Sequence, residues 1–309
     1  MNEKRINVIT LGGTILQKAN STGSMSVALP LEQLIDQVNW RGSISTSTIE
    51  TKVGANLNLD ILCTLQEHID READNFEGFV VTTGTDSLEE LAYFLHLALK
   101  SRKPVAVTGA MRTSEQCGYD GVMNLRAALR FVSSDRAATM GVLVVFNDEA
   151  HLAKYVWKQD SQAMNAFRSY PGPLGAIKSG EVEFYYDPIG EAPALYFDRA
   201  KLLSLNVPIM MFAVGMQPRK FSENEIDGLV IAGMGTSSLS DDWIDFYGHD
   251  LTSAVPVVLV SRCPQGKNFD DDTYKGSLKK YENRGFTLRE YKDLNPMQAR
   301  LRLLLKLSA

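Results

Sequence analysis

INVITLGGTI at residues 6–15 and FVVTTGTDSL at residues 79–88 share one plan: a β-branched apolar run that breaks into a turn of threonine and glycine. An apolar run without alternation is buried on both faces, which is the habit of a strand in a parallel sheet. Strand cores of this kind stand at residues 7–10, 78–82, 104–108, 140–146, 228–232 and 255–261. Helix-length amphipathic stretches separate them. Residues 87–100 place Leu88, Leu91, Ala92, Leu95 and Leu99 on one stripe, and residues 120–133 do the same with Val122, Leu125, Leu129 and Val132. Strands alternating with such crossover helices predict an α/β fold built on an open parallel sheet covered on both faces.

The chain has 309 residues, more than one core usually serves, so two domains are expected. DPIGEAP at residues 187–193 reads as a linker. The division is then a larger N-terminal open parallel-sheet domain, flavodoxin- or Rossmann-like, over residues 1–190, and a smaller C-terminal α/β domain over residues 191–309. Residues 295–307 predict a basic amphipathic helix docked on its own domain, because its leucines match core burial. Composition is that of an ordinary globular protein, with 44% hydrophobic and 22% charged residues. A net charge of -5 offers no field for gathering nucleic acid or an anionic membrane. The charged start and short apolar run at the N-terminus do not make a signal peptide or a span. Cys63, Cys117 and Cys263 are scattered and odd in number, which suits free thiols in a cytoplasmic protein.

Four strands end in glycine turns: LGGT, TTGT, TGAM and AGMG. In an open parallel sheet ligands sit beyond the carboxyl ends of the strands, so chemistry is sought there. Thr14 follows Gly12 and Gly13 and stands either as a nucleophile or as a cap. The P-loop ending is missing, and Gly233 with Gly235 gives only a fragment of a dinucleotide fingerprint. Thr85 and Asp86 precede the helix at 87–100. With Glu89 and Glu90 in its first turn, a capping box of Asp86 with Glu89, or of Ser87 with Glu90, is physically sufficient for the acid. A threonine hydroxyl needs a base. His68, His96, His151 and His249 are far apart, and none follows a glycine-rich strand end, so a Ser-His-Asp arrangement has no support. A lysine of lowered pKa does the same work, with Lys154 and Lys158 as candidates. No His or Cys spacing suggests a metal site, no cofactor is implied, and Cys117 near the third strand end lacks a partner base.

At these residues the chain resembles the bacterial L-asparaginase (asparaginase/glutaminase) family, most like its cytoplasmic members. The resemblance rests on ITLGGTI (9–15), VVTTGTDSLEELAYFL (80–95) and VAVTGAMRTSEQCGYDGVMNLRAAL (105–129), and continues more weakly through FNDEAHLAKYVWKQDSQAMNAF, GPLG (172–175) and VSRCPQG (260–266). It implies an amidohydrolase that converts a side-chain amide to acid and ammonia through a threonine acyl-enzyme. Thr14 would be the nucleophile, and Thr85, Lys158 and Asp86 a proton-handling group. Asp86 would also hold the substrate's α-amino group, with the Ala110 carbonyl facing the scissile amide and backbone N–H groups near Thr85 stabilising the oxyanion. The implied assembly is a homodimer or homotetramer with a small-molecule amide as substrate. A non-catalytic amino-acid-binding or regulatory protein on the same fold is the alternative.

Three departures mark the substrate side. Where the family carries a VGS[QD]-type turn that grips the α-carboxylate and amino group, this chain reads Val53, Gly54, Ala55, Asn56. Ala55 supplies no hydroxyl, and losing one hydrogen bond to a carboxylate costs roughly 1.5 to 3 kcal/mol. The family's lid tyrosine has no counterpart between Thr14 and Tyr93, and the lid stretch QKANSTGSMSVALP (17–30) reads as small and flexible. The acid lent by a neighbouring subunit has only an approximate match among Asp270, Asp271 and Asp272. The bond to be broken is therefore kept, while the substrate is expected to be L-asparagine or a related or modified amide.

Overall fold

The computed structural model describes residues 4–19, 25–27, 29–51, 54–188 and 194–309. The chain forms two compact units, Met1–Ala194 and Leu195–Ala309. Of the expected linker at 187–193, only Asp187 and Pro188 lie within the described residues.

The first unit begins with β1 (Arg5–Thr10), β2 (Gln17–Ala19), β3 (Met25–Val27), α1 (Leu31–Val38), β4 (Ser43–Thr48) and α2 (Leu59–Glu72). It continues through β5 (Gly78–Thr82), α3 (Leu88–Ala98), β6 (Val105–Thr108), α4 (Gly121–Ser133) and β7 (Val142–Phe146). It ends with β8 (Glu149–Leu152), β9 (Val156–Lys158), β10 (Phe167–Ser169), β11 (Gly175–Lys178) and β12 (Glu181–Phe184). Eight strands make one sheet in the order β12-β11-β8-β7-β6-β5-β1-β4. Pairings from β4 to β7 are parallel, and β8, β11 and β12 extend that edge antiparallel. The expected open parallel sheet is present, and this antiparallel edge adds to it. Those strands are four residues long, too short to show a period in sequence.

The unalternating runs behave as burial demands. Every residue of β5, β6 and β7 is buried. One sheet face, through Ile6, Val8, Val80, Ala106, Leu143 and Val145, joins a core with Leu125 and Leu129 of α4 and Leu34 of α1. Next-door α2 and α3 pack together, and α3 meets β6 and β7 on the other face. From β1 the chain crosses to β4 on one side, then returns past β1 to β5 on the other. Strand order therefore reverses at β1, and the crevice at the carboxyl ends of β1 and β5 is the topological switch point where such sheets bind ligands.

The second unit holds α5 (Arg199–Ser204), β13 (Ile209–Met211), β14 (Leu229–Gly233), α6 (Asp241–Tyr247), α7 (Asp250–Ala254), β15 (Val257–Ser261), α8 (Ser277–Glu282) and α9 (Pro296–Leu307). Three parallel strands run β13-β14-β15. Leu229, Ile231, Val257 and Leu259 face a core with Trp243, Tyr247, Leu278 and Tyr281. The C-terminal helix docks on this sheet as expected, with Leu301, Leu303, Leu304 and Leu305 buried. Asn295 caps it, accepting from the Gln298 N–H while Gln298 reaches back, and Pro296 opens the first turn. Among the described residues no helix is long and apolar enough to cross a membrane.

Candidate functional site

Four backbone turns close on one another at the switch point. β1 and β5 leave the sheet at the same level, Thr10 opposite Thr82, and β6 follows with Thr82 opposite Thr108. Gly13 has a φ of 90°, and a Cβ added there would lie 2.3 Å from the Gly84 nitrogen and 2.5 Å from the Thr83 carbonyl carbon. One added to Gly84 would lie 2.8 Å from the nitrogen and Cα of Gly54. These approaches exclude any side chain, so glycine is what lets the turns carrying Thr14, Ala55 and Thr85 meet. Gly109, before Ala110, is pressed as closely on the Thr83 carbonyl oxygen, at 2.6 Å from its would-be Cβ.

Thr85 is buried just before α3, and Asp86 beside it is exposed. Lys158 ends β9, far away in sequence, yet its Nζ donates to Thr85 Oγ1 at 2.9 Å and to Asp86 Oδ1 at 2.7 Å. The lysine side chain is only 14% exposed, so its amine is held between hydroxyl and carboxylate rather than in solvent. Asp86 is thus not spent on capping. Ser87 is the N-cap residue of α3 and makes no side-chain cap bond; its hydroxyl donates to the Gly54 carbonyl at 3.0 Å. Neither capping box is what the first turn shows: Ser87, the N-cap residue, makes no side-chain cap bond, Asp86 accepts from the Lys158 amine and Glu89 from the Lys158 backbone N–H. Burial, reinforced by the neighbouring Glu90 charge, pushes the Glu89 carboxyl up to about 7 against the pull of Lys158.

Thr14 opens a 3-10 turn, Thr14–Leu16, anchored by Leu16 N–H donating to Gly13 O at 3.0 Å. Tyr119, from the loop before α4, donates its hydroxyl to the Ile15 carbonyl at 2.6 Å. Burial, with the nearby Asp120 charge, raises that phenol well above its usual range, so it stays a donor. Ala110 is fully buried, and its neighbours are pinned. The Gly109 carbonyl accepts from Asn124 Nδ2 at 3.0 Å, and Met111 N–H donates to Asp120 Oδ2 at 3.0 Å. Ala55 and Asn56 are exposed in the 3-10 turn Gly54–Asn56; Val53 lies outside the described residues. The lid stretch is not featureless: β2 and β3 pair antiparallel at its two sides, while residues 20–24 and 28 lie outside the described residues.

Other candidates fall away. Lys154 lies over the ring of Tyr155, 5.2 Å from Nζ to centroid. Cys117 is exposed, and its carbonyl accepts from Arg112. His151 lies 2.7 Å from Ser169 Oγ and near Glu149, a triad in outline only, since the serine proton goes to the Gly172 carbonyl. Burial, then Arg168, pushes His151 down to about 4, and burial, then Lys154, does the same to His96. Asp270 and Asp271 spend their carboxylates on N–H groups of their own loop, at Asp272, Thr273 and Gly276. Among the described residues no acid, cysteine and histidine cluster could hold a metal. The sequence offers Glu89 only a local role in a cap and Tyr119 none, since the Tyr119–Ile15 bond spans 104 residues with no local signal.

The family model described as Asparaginase, N-terminal, matches residues 5–190, and the Glutaminase/Asparaginase C-terminal domain matches residues 206–309. The chain belongs to the asparaginase family. It is accordingly an asparaginase-type amidohydrolase, a hydrolase of amide C–N bonds. It is 32% identical to Probable L-asparaginase 4 of Schizosaccharomyces pombe, over 98% of this chain and 86% of the relative. To L-asparaginase 2 of Escherichia coli it is 31% identical, over 98% of this chain and 88% of the relative. The crystal structure of a probable cytoplasmic L-asparaginase from Campylobacter jejuni superposes with a TM-score of 0.83 at 33% identity, covering 99% of this chain and 95% of that one.

Proposed function

We propose that the chain hydrolyses the side-chain amide of L-asparagine or of a related amide by way of a Thr14 acyl-enzyme, with Thr85, Asp86 and Lys158 moving the protons. The observation that carries this is the Lys158 amine bridging Thr85 Oγ1 and Asp86 Oδ1, on a turn packed against the one that bears Thr14. Thr14 Oγ adds to the amide carbon, and its proton passes to the hydroxyl, amine and carboxylate group. The C–N bond breaks, that proton leaves with ammonia, and water then attacks the ester to release the acid and free Thr14. Backbone N–H groups beside Thr85 stabilise the oxyanion, a contribution of about 3 kcal/mol per donor. The Ala110 carbonyl takes the amide N–H, and Asp86 takes the substrate's α-amino group. A purely binding protein would have no use for a lysine buried between that hydroxyl and that acid.

Ala55 and Asn56 line the substrate's other end, and the methyl of Ala55 supports a substrate whose end group differs from a free α-carboxylate. The names of the relatives support L-asparagine as the parent compound. The proposal includes a cytoplasmic site of action, which the Campylobacter jejuni neighbour supports, and a homodimer or homotetramer. Ammonia release from L-asparagine, L-glutamine, D-asparagine and N-substituted amides tests it, using wild type and Thr14→Ala. Turnover of at least one amide that Thr14→Ala abolishes is the expected result. No turnover, or turnover indifferent to Thr14→Ala, overturns the mechanism; a preference for L-asparagine over all the others by more than a hundredfold overturns the altered end group.

A further inference from the structure

Lys158 reaches Thr85 and Asp86 from a three-residue strand, β9, whose only partner among the described residues is β10. So short a ribbon needs something to fix its height over the site. Within it Gln159 N–H donates to the Ala166 carbonyl at 2.7 Å, which makes Gln159 and Ala166 a hydrogen-bonded pair. Lys158 and Phe167, next along the register, are then a pair that exchanges no backbone bonds, and the Lys158 N–H points away from β10. The group that receives it is the Glu89 carboxylate in the first turn of α3, through Oε2. The same helix start carries Thr85 and Asp86, four and three residues earlier in the chain. The partners of the lysine amine and the partner of its backbone are thus one short segment. The far side of the ribbon is tied separately, by His151 of β8 against Ser169 of β10.

We propose that Glu89 is a positioning residue that accepts the Lys158 backbone N–H and so sets where the Lys158 amine meets Thr85 and Asp86. A half-buried acid is an expensive way to satisfy one amide in a ribbon, and desolvation already holds its carboxyl up to about 7. What makes it suitable is its place on α3: any shift of the helix start carries the clamp and the two partners of the lysine together. The inference rests on the catalytic assignment of Lys158.

Wild type, Glu89→Gln and Glu89→Ala are compared in two measurements, steady-state hydrolysis of the best amide substrate and hydrogen exchange of the Lys158 amide. Expected for Glu89→Ala is a fall in kcat of at least tenfold with KM within twofold of wild type, together with faster exchange at Lys158. Glu89→Gln keeps an acceptor oxygen at the same reach and restores both, with kcat within threefold of wild type. An unfolded Glu89→Ala is replaced by Glu89→Met, which fills the same volume without an oxygen and carries the same expected losses. A kcat within twofold of wild type in the oxygen-free variant overturns the proposal, as does a Glu89→Gln as impaired as that variant. A wild type that releases no ammonia from any amide defeats the hydrolase mechanism instead. The exchange measurement then decides the clamp alone, and exchange at Lys158 unchanged by removal of the Glu89 oxygen defeats it.

Discussion

The Lys158 amine sits between a hydroxyl at 2.9 Å and a carboxylate at 2.7 Å, and what decides its use is how little of it reaches water. An amine held this way touches both groups at once, which suits the proton-handling role proposed for it. The turn that bears Thr14 has its own support from across the chain. A tyrosine on the lid is missing, while the Tyr119 hydroxyl holds the Ile15 carbonyl one residue beyond Thr14. Tyr119→Phe removes that bond and leaves the ring in place. A bond of this kind contributes about 1 kcal/mol, so kcat is expected to fall roughly fivefold with KM nearly unchanged. Steady-state kinetics on the preferred amide check this, and a variant indistinguishable from wild type would remove Tyr119 from the support of the turn.

At the scale of elements, the site exists because backbone turns from β1, β5, β6 and the 3-10 turn at Gly54–Asn56 pack without side chains between them. Gly84→Ala forces a Cβ to within 2.8 Å of the Gly54 backbone, and backbone cannot yield as a flexible side chain does. The expected outcome is a loss of about 1 to 3 kcal/mol in stability, with a disproportionate fall in kcat/KM because the turns carrying Thr14, Ala55 and Thr85 are pushed apart. Thermal unfolding and kinetics together test this; full activity would mean that the turns have slack. The buried strands of this assembly were legible in sequence, since β5, β6 and β7 are continuous apolar runs and their crossover helices carry clean stripes. β4, reading SISTST, was not, because an exposed edge strand has no apolar face to announce it. The antiparallel edge and the β9–β10 ribbon are too short for periodicity to speak. Thr14, Thr85 and Asp86 were marked by their glycine turns, but Lys158 was one of many lysines until a family resemblance singled it out. Glu89 was misread because a helix N-terminus explains an acid locally, and only the fold reveals that the acid serves a strand instead.

For the whole molecule, the displaced ionisations make stability depend on pH with opposing signs. His96 and His151 are held neutral, with folded pKa values of about 4 against an ordinary 6.5. The unfolded chain binds protons first as pH falls, so each histidine's contribution is complete above pH 6.5 and is lost between there and about 4. Glu89 runs the other way: its folded pKa of about 7 lies above the ordinary 4.5, so the native state holds the extra proton between those values. Its contribution is fully present below pH 4.5 and is lost as pH rises through 7. Each of these shifts corresponds to about 3 kcal/mol at most, and His68, lowered by burial and then by Arg71, acts in the same direction as His96 and His151, so stability should fall on acidification from pH 7 to 4.5. Glu89→Gln isolates the minority partner. The substitution removes a group that penalises the native state only when ionised, so the variant should gain on wild type by up to about 3 kcal/mol as pH rises from 5 to 8. Urea unfolding of both proteins across that range measures the difference. A difference that stays flat with pH would place the Glu89 carboxyl in its ordinary range and dissolve the opposition.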